Sequence, residues 1–246
     1  MAKQSGLGDN FYLSGNNLSG DVGSLGNVGG GGTPLPQTGI DKSAYERVGG
    51  LLSGGVSWSS WWNPTRAHPV LSALPRTDAI ASYLRGTALG SPAACVVGKQ
   101  VNYDGNRGDD GAFSLAVDVQ SSAGTPLEWG RALTAGVRTD TAATLGTGID
   151  TTASVAFGAQ AYLHVMGFTG TDATVKIQDS ADNVTFADVT GLAFAQVTAA
   201  PGAQRIATAP GATIRRYLRA VTVTTGGFTS LAFSVVAIKN EVAVTY

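Results

Sequence analysis

The sequence predicts an all-β protein with one or two short helices. A β-sandwich or barrel domain with an extended N-terminal arm is followed by a second, C-terminal β-sandwich. Three observations lead there. Apolar and polar residues alternate with a period of two, most plainly in FSLAVDVQ (113–120), which is the period of a strand with one packed face. The second half breaks into short apolar runs at regular spacing, divided by turn signals such as DSADN and TTGG, as in a small sandwich or jelly roll. Residues 1 to 40, rich in glycine, carry almost no helical periodicity.

The elements follow in order. GNNLSGDVGSLGNVGGGGTPLPQTG reads as an extended arm that orders against a neighbour, because Phe11, Leu13, Leu18, Val22, Leu25 and Val28 are too apolar for a solvated linker. Ser43 to Glu46 has capping-box spacing and predicts a short helix closed by Gly49 and Gly50. GVSWSSWW is a strand, AHPVLSALP a short helix or turn bounded by Pro69 and Pro75, and DAIASYLRG another strand. Residues 93–121 read as a long hairpin around a Gly/Asp/Asn tip. Its second arm sets Phe113, Leu115, Val117 and Val119 against Ser114, Ala116, Asp118 and Gln120; its first sets Cys95, Val97, Val101 and Tyr103 against Gln100 and Asn102. One face is therefore packed, and the other is polar with short side chains. A Thr/Ala/Gly-rich passage places a boundary near 140–152, and six strand candidates follow it.

Composition narrows the function. Charged residues make up 13%, about half the usual share, so much of the surface is expected to be covered by other subunits. No apolar run approaches the ~20 residues of a spanning helix, so membrane insertion is not expected. MAKQSGLGDN lacks the apolar core of a signal peptide, which points to synthesis in the cytoplasm. Cys95 is the single cysteine, which excludes an internal disulfide and a cysteine-cluster metal site. Sixteen basic and 17 acidic residues give a net charge of −1 without blocks of either sign, unlike a protein that grips nucleic acid. The densest basic spot, RRYLR, reads as a strand flank.

Catalytic motifs fail one by one. GSPAACVVGKQ lacks the first glycine and the Ser/Thr of a phosphate loop, and DGNRGDDG lacks the ligand spacing of a calcium loop. His68 reads as a packing residue and His164 as a strand residue on a polar face. No cofactor, metal or catalysis is expected. Trp58, Trp61 and Trp62 crowd into five residues. If Trp58 and Trp62 pack inside the subunit, Trp61 points the other way and needs a different cover, as aromatics in interface cores do.

AKQSGLGDNFYLSG, TGIDKSAYERVGGLLSGGVSWSSWWNP, GKQVNYDGNRGDDGAFSLAV and LEWGRALTAGVRTDTAA resemble, in order along the chain, the major tail protein (tail tube protein) of siphovirus-type long-tailed bacteriophages. The likeness is nearest to proteins of phages that infect actinobacteria. YLHVMGFTGTDATVKIQDSADNVTFADVTG and the segments after it resemble the C-terminal domain that some of those proteins carry.

The resemblance implies a tail tube domain over 1–140, including the arm of about 1–40, a linker over 141–152, and a sandwich over 153–246 on the tube exterior. It implies hexameric rings stacked into a hollow tube for DNA ejection, in a virion tail made in the host cytoplasm. Its partners would be further copies of the chain, the tape measure protein, and terminator and baseplate proteins, with DNA passing transiently through the lumen. Trp58, Trp61, Trp62, Phe11, Leu13 and Leu25 are then the candidate subunit interface. Gln100, Asn102, Ser114, Asp118 and Gln120 are the candidate lumen face. On this view the arm is disordered in the free monomer, and its removal leaves the monomer folded. Alternatives are a capsid decoration protein or a sugar-binding module on the virion surface, with Phe186 or Phe228 as the sugar platform.

Overall fold

The computed structural model describes residues 5–74, 77–122 and 124–243, so Pro75 lies outside the described residues. Among these the chain is almost wholly β. Its elements begin with β1 (Asn10–Leu13), β2 (Asn16–Asn17), β3 (Val22–Pro36), β4 (Arg47–Trp61), α1 (Ala67–Leu71), β5 (Ala79–Leu84), β6 (Pro92–Gln100), β7 (Asp104–Arg107), β8 (Phe113–Ser121) and β9 (Glu128–Ala132). They continue with β10 (Arg138–Asp140), β11 (Ile149–Asp150), β12 (Ala159–Gly170), β13 (Thr174–Ser180), β14 (Ala187–Ala193), β15 (Gly202–Ala207), β16 (Tyr217–Val223) and β17 (Phe228–Lys239). The six strand candidates read beyond residue 152 correspond to β12 through β17.

Two compact units divide the chain. The first comprises Met1–Gly20, Ile80–Cys95 and Glu128–Tyr246; the second comprises Asp21–Ala79 and Val96–Leu127. Residues 141–152 lie within the first unit, where Leu145 bridges Val221 and β11 pairs with β16.

The first unit is a sandwich. One sheet has the order β15-β12-β17-β9-β6-β5-β1-β2, and the other β11-β16-β13-β14. Leu163, Val165, Phe233 and Val235 of the larger sheet meet Val175, Ile177, Leu218 and Ala220 of the smaller in one buried core. These residues alternate along their strands, as a half-covered sheet requires.

The opposite face of the larger sheet is buried too, because that sheet curls back on itself. At the β1–β2 turn Gly15 has φ +83°, and a methyl group there would lie 2.4 Å from the Gly202 nitrogen and 2.7 Å from the Val165 oxygen. Only glycine permits both the conformation and the approach. The Gly15 N–H donates to His164 Nδ1 at 3.2 Å, which fixes the neutral tautomer. His164 Nε2–H can then donate to Ser82 Oγ at 2.8 Å, and Ser82 Oγ–H to Cys95 Sγ at 3.1 Å. Beside this chain Arg205 Nη2 donates to Glu128 Oε1 at 3.1 Å, and the Tyr162 hydroxyl bonds the same carboxylate. These six polar side chains thus satisfy one another, as burial demands. His164 therefore lies inside the unit, and not on a polar face as its alternation in sequence implied.

The N-terminal segment also departs from expectation. Phe11, Tyr12, Leu13 and Leu18 are fully buried, and β1 pairs antiparallel with β5 in the register Phe11↔Tyr83. Val22–Pro36 forms one arm of a long hairpin with Arg47–Trp61. Ser43 to Glu46 lies in the loop of that hairpin and not in a helix, and Gly49 and Gly50 belong to β4. Strand pairing on both sides of this short loop outweighs a capping box that has no helical turns to cap. The one helix among the described residues is α1, whose Pro69 falls in the first turn, where a missing N–H costs nothing.

Phe11→Ala is expected to cost about 3–5 kcal/mol, and removal of residues 1–20 to unfold the first unit, as read by urea denaturation. Burial lowers the His164 pKa from 6.5 to about 3. The charged form is therefore disfavoured in the folded state. The stability this contributes is complete above 6.5 and is lost as the pH falls through 6.5 toward 3. Between about pH 7.5 and 5.5 the loss should be about 1.4 kcal/mol, and His164→Gln should remove that dependence.

Candidate assembly surface

The second unit is built on the pairing of β4 with β8. Its register, Val56↔Val119, Trp58↔Val117 and Ser60↔Leu115, puts these six residues on one face, and all six are buried. Ala67 and Leu71 of α1 are buried as well. The alternate pairs, Gly55↔Gln120, Ser57↔Asp118, Ser59↔Ala116 and Trp61↔Ser114, form the opposite face. Apart from Trp61 at its edge, that face is open, short-chained and close to neutral. Gln120 Nε2 donates to Asp118 Oδ2 at 3.0 Å, and the Asn27 N–H to Ser57 Oγ at 2.8 Å.

The candidate lumen residues divide at this register. Ser114, Asp118 and Gln120 share the open face. Gln100 does not: it pairs with Val119 and is buried, donating from Nε2 to the carbonyl of Leu71 at 2.7 Å. Lys99 stands opposite Gln120 instead and pairs with Asp78 at 2.8 Å. Hydrogen bonds from Lys99 and Ser122 lower the Asp78 pKa. Asn102, two residues on from Gln100, is half-buried. The alternation of Val97 and Val101 with Gln100 in sequence implies the opposite parity, because register against β8, not polarity, decides which face Gln100 takes.

The tryptophans also divide. Trp58 is core. Trp61 is 51% exposed, with its indole lying against Gly23, where a methyl group would sit 2.8 Å from Nε1. Trp62 follows the strand end and is 42% exposed. Its ring lies 4.2 Å from the His68 ring and 5.5 Å, edge-on, from Phe113, and His68 Nδ1 shares a 2.6 Å hydrogen bond with Tyr103. Nearby, Arg66 grips Asp21 through Nε at 2.6 Å and Nη2 at 2.8 Å, which lowers the Asp21 pKa. The bond from the Trp61 N–H to the Asp21 carbonyl, at 2.7 Å, ties the strand end to this pair. Phe11 and Leu13, read as interface candidates, are buried within the first unit and offer nothing to a neighbouring subunit. Leu25 opposes Trp58 and is half-buried.

A larger apolar surface lies on the β3–β4 hairpin. β4 pairs with β8 only from Gly55 onward, so among the described residues the distal part, Gly30–Pro36 with Arg47–Gly54, pairs only with itself. At ~3.3 Å per residue it forms roughly 25 Å of bare ribbon. At Gly30 the strands approach so closely that a methyl group would lie 2.2 Å from the Ser53 oxygen. Leu35, Ile40, Tyr45, Val48, Leu51 and Leu52 are all exposed on the ribbon and its loop. The signal in sequence was the cluster of apolar residues in TPLPQTGIDKSAYERVGGLL, which the expected helix obscured.

The proposed sugar platforms do not form. Phe228 is buried, and the Arg219 guanidinium lies over the Phe186 ring at 4.0 Å.

No protein-family model matches the chain, and comparison with curated proteins finds no match. Among solved structures it is similar to the SPP1 Dit protein, described as a paradigm of the hub adsorption apparatus in phages that infect Gram-positive bacteria. The identity is 13% and the TM-score 0.34, over 94% of this chain and 98% of that one.

Trp58→Ala is expected to destabilise the protein by about 3–5 kcal/mol. Trp61→Ala should stay within about 0.5 kcal/mol of the parent. Denaturant midpoints of the two variants check the contrast.

Proposed function

We propose that the chain is a structural subunit of a bacteriophage tail, polymerising as stacked hexameric rings into the hollow tube through which double-stranded DNA leaves the virion. The observation that carries this reading is the bare hairpin ribbon. A two-stranded ribbon alone is marginal in water, and one bearing six large exposed apolar side chains gains from being covered. At about 25 cal/mol per Å², burying them in a neighbour is worth on the order of 10 kcal/mol before association entropy. The ribbon's unpaired edges offer hydrogen bonds to a second copy. A contact that joins one part of a subunit to a different part of the next closes into a ring.

The open face of β4 and β8 supplies the lumen wall in this reading. Ser57, Ser59, Ser114, Asp118 and Gln120 hold no positive charge, and the one lysine opposite Gln120, Lys99, is held by Asp78, so phosphates find no basic cluster to grip and DNA slides. Trp61, at the edge of that face, completes its cover against an adjacent subunit. The remaining partners are the tape measure protein and the terminator and baseplate proteins. The role needs neither cofactor nor catalysis. Low charge fits a surface mostly hidden in the assembly. The order of segments that resemble tail tube proteins supports the same reading.

Electron microscopy of the purified full chain across a concentration series tests it. Rings or hollow tubes of uniform width are expected. They should be lost in the triple variant Ile40→Ser, Leu51→Ser, Leu52→Ser while its circular dichroism is unchanged. Discrete trimers, or tubes formed equally well by the triple variant, would overturn the proposal.

A further inference from the structure

A cleft of about 550 Å³ in the first unit is lined by β9 and β17 of the larger sheet, by Ile149 and Leu218 of the smaller, and by residues 151–157. Its floor is core: Ile149, Leu218 and Ala237 are all buried. Its walls carry two aromatic rings exposed to water, Trp129 at 51% and Phe157 at 38%. Trp129 and Arg131 project from the same side of β9, and Arg131 pairs with Ala237 of β17. The segment 151–157 forms the facing wall. It is held by Lys239, whose Nζ donates to Thr151 Oγ1 at 2.8 Å, to the Arg215 carbonyl at 3.1 Å and to the carbonyl of Ala153.

Two features set this cleft apart from an ordinary gap. Thr152, in the wall, has φ +73°, a strained conformation for a β-branched residue that persists only where the surroundings impose it. The charge of Arg131 is also open: it donates through Nη1 to the Gly90 carbonyl at 3.2 Å, and no ion pair to a carboxylate holds it among the described residues, whereas Lys239 lies in the field of Asp150 and Asp179. Glu241 is the one acid in the lining.

We propose that this cleft binds a short oligosaccharide bearing carboxylate or phosphate groups. A pyranose has an apolar C–H face and a polar edge. The faces of Trp129 and Phe157 suit the former, and the polar rim of Thr152, Ser154 and Arg131 the latter. The planar fork of Arg131 matches an anionic substituent, while Lys239 holds the facing wall in place. The volume lies within the range of small-ligand sites. The inference does not rest on the tube reading, since the residues differ from those of the hairpin and the open face.

The test applies the full chain to an array of neutral, uronic-acid-containing and phosphorylated oligosaccharides, followed by titration of the best binder. Binding to acidic members is expected, weakened tenfold or more in Trp129→Ala and in Phe157→Ala. Arg131→Gln should retain neutral binding and lose the preference for acidic sugars. Both aromatic side chains are partly exposed, so the variants should keep the parent circular dichroism, and their polymerisation in the microscope should be unchanged. No binding to any class at about 1 mM, or binding indifferent to both aromatic variants, would overturn the proposal. Loss of polymerisation in Trp129→Ala without sugar binding by the parent would assign the cleft to a contact between copies, and would equally overturn it.

Discussion

The hydrogen bond from the Gly15 N–H to His164 Nδ1 marks the closure on which the first unit depends. Three separated segments of chain build that unit, and its larger sheet would otherwise leave one face wet. Because Gly15 has no side chain, the β1–β2 turn can reach Val165 and Gly202, and the face becomes an interior. Polar groups turned inward then need partners there. His164, Ser82 and Cys95 form one chain of bonds; Glu128, Tyr162 and Arg205 form another. The closure makes a histidine neutral and a cysteine inert, with burial raising the Cys95 pKa to about 12.

The second unit solves a different problem with the same strand period. Along β4 and β8 one residue in two is sealed and the next is left open, so a single register separates a rigid apolar layer from a smooth polar one. The apolar layer holds Trp58, and the polar one carries serines, a glutamine and one aspartate.

Charge poverty and exposed apolar area belong together. A chain with 13% charged residues has little surface charge with which to keep exposed apolar area in solution. The hairpin ribbon places that apolar area far from the unit's own core, where it cannot be withdrawn by local repacking. Trp129 and Phe157 differ in kind, because their rings border a cleft with an apolar floor and a charged rim.

The sequence by itself determined the all-β class, the six strands beyond residue 152, the packed and open faces of 113–120, and the outward turn of Trp61. Each follows from a period of two, which is local and needs no knowledge of the partner strand. Tertiary structure alone decided what those strands pair with. Phe11 and Leu13 became core because β1 meets β5, some 70 residues later. Gln100 turned inward because β6 meets β8 with Gln100 opposite Val119, and a shift of one residue would have reversed it. The capping box at Ser43 lost to the pairing of β3 with β4, and His164 entered the interior through the curl of a sheet. Register and closure are set between segments distant in sequence, so no local pattern could have shown them.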